Sequence, residues 1–389
     1  MKRVLRGRTM VRALGGWLVL VLVGCILWSP AARAAEEPEI RAAAAVLMDG
    51  FSGRVLYAKN PHLPLPQAST TKITTAILAL EQGRLQDLVR VSKEAAETPE
   101  SSIWLEEGEE LTLEDLLYAL MLRSANDAAA AIAEYIGGSQ ERFVDLMNRR
   151  AAELGARDTH YANPHGLDDP NHYSSAYDLA LLTRHALTLP EFRRIVTAKE
   201  RTIPWGGHPW NRVLYNRNRL LAGPDPYPGA IGVKTGYTRR AGFCLVGAAE
   251  RDGLQLIAVV LNSPDMYGEV RALLDYGFAN FQAETVVRSG QFLTELSVIR
   301  GDSQRVRLVP ESTLKVAVRE SERASLSTRL TLPPELTAPV TAGEVVGRIE
   351  AFLGKEPLGA VNLVTAKAVA RRGFWSYFLQ ALLSVFTLG

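Results

Sequence analysis

A chain of 389 residues, 47% hydrophobic and 22% charged, has the composition of an ordinary globular protein long enough for two domains with separate cores, which excludes disorder. Its formal net charge of +2 rests on the first 34 residues, which hold six basic and no acidic side chains; without them the balance is −4. A basic surface for nucleic acid is thereby excluded as well.

In residues 1–34, Lys2, Arg3, Arg6, Arg8 and Arg12 precede the apolar run "WLVLVLVGCILW", and "AARAA" follows it. That layout predicts an export signal cleaved near Ala34 or Ala35. The run falls short of the ~20 residues of a spanning helix. An uncleaved anchor and a lipoprotein signal acylated at Cys25 ("LVGC") are the other readings. Once Cys25 has left, Cys244 stands alone, so no internal disulfide is expected. Within "AGFCLVGAA", Cys244 reads as a buried strand cysteine.

Apolar runs at 43–49 and 54–58 flank the turn "GFSG" and predict a hairpin. Helical periods follow at 70–81, 112–121, 125–136, 140–154 and 176–187. Strand patterns return at 242–250 and 254–262, and a helix follows at 268–279. Strands first and last with helices between predict an α+β domain over 40–282, an antiparallel sheet with paired terminal strands packed on a helical region. From 285 to 368, short β-branched runs separated by "GD" and "GKEP" predict a small all-β sandwich.

The tail "RRGFWSYFLQALLSVFTLG" places Phe374, Phe378, Leu382 and Phe386 on one stripe, predicting an amphipathic helix over 370–389. From Phe374 to Gly389 it would be about 24 Å long, less than a ~30 Å hydrocarbon core. It is therefore expected to lie in a membrane surface, with docking on the β-domain as the other reading.

Three fragments carry chemistry. In "PQASTTKITTAILALE", Ser69 and Lys72 lie three apart at the start of a helix, on one face. Serine is a poor nucleophile until a base takes its proton, and lysine is such a base when burial or a second cation lowers its pKa. "SAND" sets Ser124 and Asn126 two apart in a turn between helices. "GVKTGYT" supplies a second cation, Lys234, then Thr235 and Gly236, just before a strand. Each fragment alone is weak, but their order is that of β-lactamases and penicillin-binding proteins.

With these motifs the chain resembles the D-alanyl-D-alanine carboxypeptidases, low-molecular-weight penicillin-binding proteins of serine peptidase family S11. The blocks "LMLRSANDAAAAIAEYIGG", "NPHGLDDPNHYSSAYDLALLTRHAL" and "GAIGVKTGYTRRAGFCLVGAAERDGLQLIAVVLN" fall where that family's blocks fall. The resemblance spans about 45–280, and "LTAPVTAGEVVGRI" resembles the family's C-terminal β-domain. It implies a β-lactamase/transpeptidase-like fold and removal of the terminal D-alanine from peptidoglycan pentapeptide stems, with β-lactams as covalent inhibitors. It also implies roles: Ser69 as nucleophile, Lys72 as base, Ser124 as proton relay and Asn126 as a holder of Lys72 and substrate. Lys234 would keep the site positive, Thr235 would bind the terminal carboxylate, Gly236 would admit the substrate backbone, and the N–H groups of Ser69 and Tyr237 would form the oxyanion hole.

Arg239, Arg240 and Arg271 are candidates for a further carboxylate ligand or plain surface charges. Asn163, His165 and Asp168 in "NPHGLDD" are cleft or turn residues. The six histidines show no metal-ligand spacing, so neither metal nor cofactor is expected. A β-lactamase is the alternative enzyme, but the Glu-x-x-Leu-Asn string of class A enzymes is missing between Asn126 and Lys234. A non-catalytic β-lactam sensor or wall-binding module is the alternative outside enzymes.

Overall fold

The computed structural model describes residues 35–99 and 101–373. The expected export signal and the amphipathic tail from Phe374 onward lie outside the described residues.

The hairpin predicted near the start is present as β1 (Ala44–Asp49) and β2 (Val55–Lys59), turned by the Asp49 carboxylate, which accepts the Phe51 N–H at 3.0 Å. Strand β1 is buried throughout because both its faces are covered. Ala44, Val46 and Met48 face the helical region, while Ala45 and Leu47 face the late helix Met266–Asn280. Three further strands, β3 (Ala230–Thr238), β4 (Gly242–Arg251) and β5 (Leu254–Ser263), complete an antiparallel sheet in the order β2-β1-β5-β4-β3. The first and last strands thus pair, β1 against β5, as their pattern predicts.

One expectation is corrected here. "GVKTGYT" does not precede a strand; it is the body of the edge strand β3. Gly232 and Gly236 dilute its β-branched signal, and the fold needs Gly236. A Cβ there would stand 3.0 Å from both Gln67 O and Ser69 N. The helix Pro190–Thr197 and the hairpin Glu200–Ile203 with Arg212–Tyr215 are further elements that the periodicity does not reveal.

Helix α1 (Lys72–Gln82) runs through the middle of the helical region, buried from Lys72 to Ala79. Ile73, Ile77 and Leu78 each contribute roughly 1.5–3 kcal/mol by leaving water. Gly83 ends it at a contact too tight for a side chain, since a Cβ would meet Leu113 Cδ2 at 2.4 Å. Helix Leu113–Tyr118 continues as a π-turn over Ala119–Arg123 and stops at Ser124, whose φ of +64° is left-handed; α2 (Asn126–Gly137) starts two residues later.

Among the described residues after Met266–Asn280 the regular structure is strands, apart from the 3₁₀ helix Glu320–Ser325. A ladder of Gln282–Val287 with Leu314–Val318 accompanies a six-stranded sheet in which a parallel pair, Thr294–Ile299 with Leu336–Thr337, forms one edge. Arg54 joins this part to the hairpin, donating to Glu322 at 2.8 and 2.9 Å and to Ala317 O at 2.8 Å.

Candidate active site

Ser69 sits in the 3₁₀ turn Ala68–Thr71 that leads into α1. Three features hold that turn. Thr70 and Thr71 hydroxyls donate to Gln67 O and Ala68 O at 2.7 and 2.8 Å. His172 accepts the Ala162 N–H at Nδ1, 3.0 Å, so its Nε2 carries the proton that it offers Thr71 Oγ1 at 2.7 Å; burial pushes its pKa down to about 4 and keeps it neutral. Gly166, at φ +93°, packs so closely that a Cβ there would lie 2.0 Å from Ala68 O. Ala68 itself stands at φ +50°, backbone strain next to the candidate nucleophile.

Lys72 is wholly buried. Its Nζ donates to Asn126 Oδ1 at 2.7 Å and to His165 O at 2.5 Å, and stands 3.1 Å from Ser69 Oγ. Burial, then the charge of Lys234, lowers its pKa well below the lysine range, against the pull of Asp127. A neutral amine has two hydrogens and one lone pair. With two carbonyl oxygens and Ser69 Oγ around the nitrogen, loss of its proton leaves the lone pair for the Ser69 hydroxyl.

On β3, Lys234 is 2% exposed and donates to Thr235 O at 3.1 Å. Burial, then Arg217, pushes its pKa down to about 7. Thr235 is half-buried, and Tyr237 is exposed and packed on Phe243, ring centroids 4.6 Å apart. Gly236 places this strand directly against the Ser69 turn. Ser124 is buried at its left-handed corner, and Asn126 is tied by its N–H to Ser101 O at 2.7 Å and by Nδ2 to Pro99 O at 2.8 Å.

An open cleft of about 480 Å³ runs between these parts, lined by Ser69, Ser101, Asn126, Tyr237 and Arg239 with His165, Gly166 and Asp168. The "NPHGLDD" residues divide. Asn163 fixes the turn, accepting the Gly166 N–H at 2.7 Å and donating to Leu167 O at 2.9 Å. His165 holds Lys72 through its carbonyl, and Asp168 reaches across the cleft to accept the Thr238 hydroxyl at 2.7 Å. Of the three arginines, Arg239 lines the cleft, Arg240 is exposed, and Arg271 pairs with Asp225 at 3.3 Å beside a different pocket.

Two residues escape sequence reading. Arg217 donates to Ser101 Oγ at 3.2 Å and bears on Lys234; it is framed by Asn216 and Asn218, which fix its backbone, and that Asn-Arg-Asn pattern is its one signal. Asp127 accepts from the Ser102 hydroxyl at 2.6 Å and the Ile103 and Leu105 N–H groups at 3.1 Å, fastening the wall that carries Ser101. Cys244 is buried, its thiol pushed up to about 12. No group of three or more potential metal ligands occurs among the described residues.

A buried lysine within hydrogen-bond reach of a serine, beside a second buried lysine on the edge strand, is the arrangement that serine–lysine acyl transfer requires. The chain belongs to the D-alanyl-D-alanine carboxypeptidase family, whose model matches residues 31–265; a model of the penicillin-binding protein 5 C-terminal domain matches 281–371. It is 31% identical over 384 residues to D-alanyl-D-alanine carboxypeptidase DacF of Bacillus subtilis, covering 94% of this chain and 97% of that one. With DacD of Escherichia coli it shares 35% over 358 residues, 88% of this chain and 90% of the relative. The structure of penicillin binding protein 5 from Haemophilus influenzae superposes with a TM-score of 0.69 at 32% identity, covering 87% of this chain and all of that one.

Proposed function

We propose that the protein is a serine-type D-alanyl-D-alanine carboxypeptidase that removes the terminal D-alanine from peptidoglycan pentapeptide stems. The observation that carries this reading is the buried Lys72 amine, held 3.1 Å from Ser69 Oγ by the carbonyl oxygens of Asn126 and His165. Ser69 Oγ attacks the carbonyl of the penultimate D-alanine as Lys72 takes its proton. The N–H groups of Ser69 and Tyr237 receive the oxyanion. Ser124 passes a proton to the departing D-alanine nitrogen, and water, deprotonated by Lys72, then cleaves the Ser69 ester. Lys234, Thr235 and Arg217 bind the terminal carboxylate, and Asn126 the substrate amide. A β-lactam opens on the same serine and stays attached.

Two measurements test this. Benzylpenicillin should add its mass to the wild-type chain and not to Ser69→Ala; equal labelling of both would remove Ser69 from the role. Incubation with a pentapeptide muropeptide should release one alanine by mass spectrometry, whereas a cross-linked dimer would assign a transpeptidase and rapid penicillin turnover a β-lactamase. Export through residues 1–34 and anchoring by residues 370–389 at the outer face of the cytoplasmic membrane complete the reading. Among the described residues no helix is long and apolar enough to cross a membrane.

A further inference from the structure

Beside the cleft lies a surface that the acyl-transfer chemistry does not use. The described residues hold three tryptophans, Trp104, Trp205 and Trp210, and all three are borne by two loops that Arg212 ties together. Trp205 packs on His208 with ring centroids 4.7 Å apart, and His208 on Trp210 at 5.5 Å. Trp210 is 59% and Trp104 67% exposed, and Trp104 stands at φ +58°, a left-handed backbone that a bulky residue rarely adopts and that here turns an indole into solvent.

The surface is rigid from below. Arg212 and Glu109 form a buried ion pair at 2.5 and 2.9 Å. From it the Arg212 guanidinium donates to Trp104 O at 2.8 Å and to Pro204 O at 3.2 Å and lies 4.5 Å from the Trp205 ring, while Glu109 accepts the Gly206 N–H at 3.2 Å. The loop bearing Trp104 and the loop bearing Trp205 and Trp210 are thereby locked into one unit. Its rim is acidic and polar: Glu106 bonds His208 Nε2 at 3.1 Å, and Glu107 and Asn211 are exposed.

We propose that this aromatic surface binds the amino-sugar rings of the glycan strand that carries the peptide stem; the proposal rests on the carboxypeptidase reading. A pyranose ring offers a flat C–H face that packs on an indole, with equatorial hydroxyls at its edge for carboxylate and amide acceptors such as those of the rim. The acidic rim disfavours an anionic membrane. Reach agrees. Ser101 lines the cleft, and three residues of chain carry Trp104 at most about 10 Å from it. Four stem residues separate the scissile bond from the sugar, a span of at most about 14 Å. The stem is thus comparable in length to the chain that links the cleft wall to Trp104.

The test uses the full chain and the double variant Trp104→Ala/Trp210→Ala, whose sites are exposed. On a disaccharide pentapeptide, kcat/KM should fall about tenfold, mainly through KM. On the same pentapeptide without sugar, and in acylation by benzylpenicillin, the variant should match wild type within about twofold, and Trp104→Phe/Trp210→Phe should restore most of the loss. Equal loss on both substrates, or no loss on either, overturns the proposal. If wild type releases alanine from neither substrate, the carboxypeptidase reading has failed, and the surface is judged alone by titrating tryptophan fluorescence with stem-free N-acetylglucosamine oligomers. Saturable quenching lost in the Ala variant supports the platform; an unchanged or absent response overturns it.

Discussion

Lys72 and Lys234 are buried close together, and the oxygens that hold them, those of Asn126, His165 and Thr235, are neutral. A proton on either amine therefore works against the fold. With its folded pKa near 7 and an unfolded value of about 10.4, Lys234 sheds its proton on folding throughout that window. The unfolded chain binds more protons there, so wild-type stability climbs as pH rises from 7 toward 10, and the burial cost is greatest below 7. Lys234→Met should accordingly raise Tm at pH 6 by several degrees, with the gain shrinking toward pH 10 in calorimetry; an equal gain at both would refute charge burial as its cause. Ser69 and Lys72 were legible as a pair from their spacing, whereas Asn126 joined them only through the resemblance; the structure brings all three within hydrogen-bond range. Arg217 and Asp127 were not legible, because an arginine in coil looks like any solvated charge and an acid in the first turn of a helix looks like a dipole partner.

At the scale of elements, the Ser69 turn is shaped from outside by two glycines: Gly166 lets backbone come closer than a side chain allows, and Gly236 brings β3 to a distance that a Cβ would only tightly fit. Gly166→Ala faces both a left-handed φ and a collision with Ala68 O. It should displace Ser69 by a fraction of an ångström to an ångström and slow benzylpenicillin acylation by about 100-fold. Stopped-flow acylation rates would show this, and a rate within twofold of wild type would mean that the turn tolerates the shift. The same glycines explain where the fold was hidden. Strands β1, β4 and β5 are continuous apolar runs and read at once, whereas β3 carries glycines for close approach in place of β-branched residues. The helix Pro190–Thr197 is short and opens on proline, so its period spans barely two turns.

Across the whole molecule, the hairpin β1–β2 meets the all-β part through the fork of Arg54 on Glu322. That hydrogen-bonded pair holds the Glu322 carboxyl below its ordinary range, so the stability it lends is present above an unfolded pKa of about 4.3 and is lost as pH falls through the lowered folded value. Arg54→Ala should cost roughly 2 kcal/mol at pH 7 and divide one calorimetric transition into two, and the difference from wild type should fade below about pH 4. A chain ending at Gly373 keeps the bridge of Arg371 with Gly301 and every described strand. It should acylate normally yet fail to float with liposomes; flotation equal to the full chain would place the membrane contact elsewhere. Cys244, enclosed in β4 with Sγ against backbone carbonyls, gives the same molecule a built-in clock. Its thiol is reachable only when the sheet parts, so the rate at which a thiol reagent modifies the native protein measures how often β4 is uncovered. An acyl group on Ser69, whose turn packs against the sheet edge, should slow that rate, turning occupancy of the cleft into a signal read from a thiol enclosed behind the Ser69 turn.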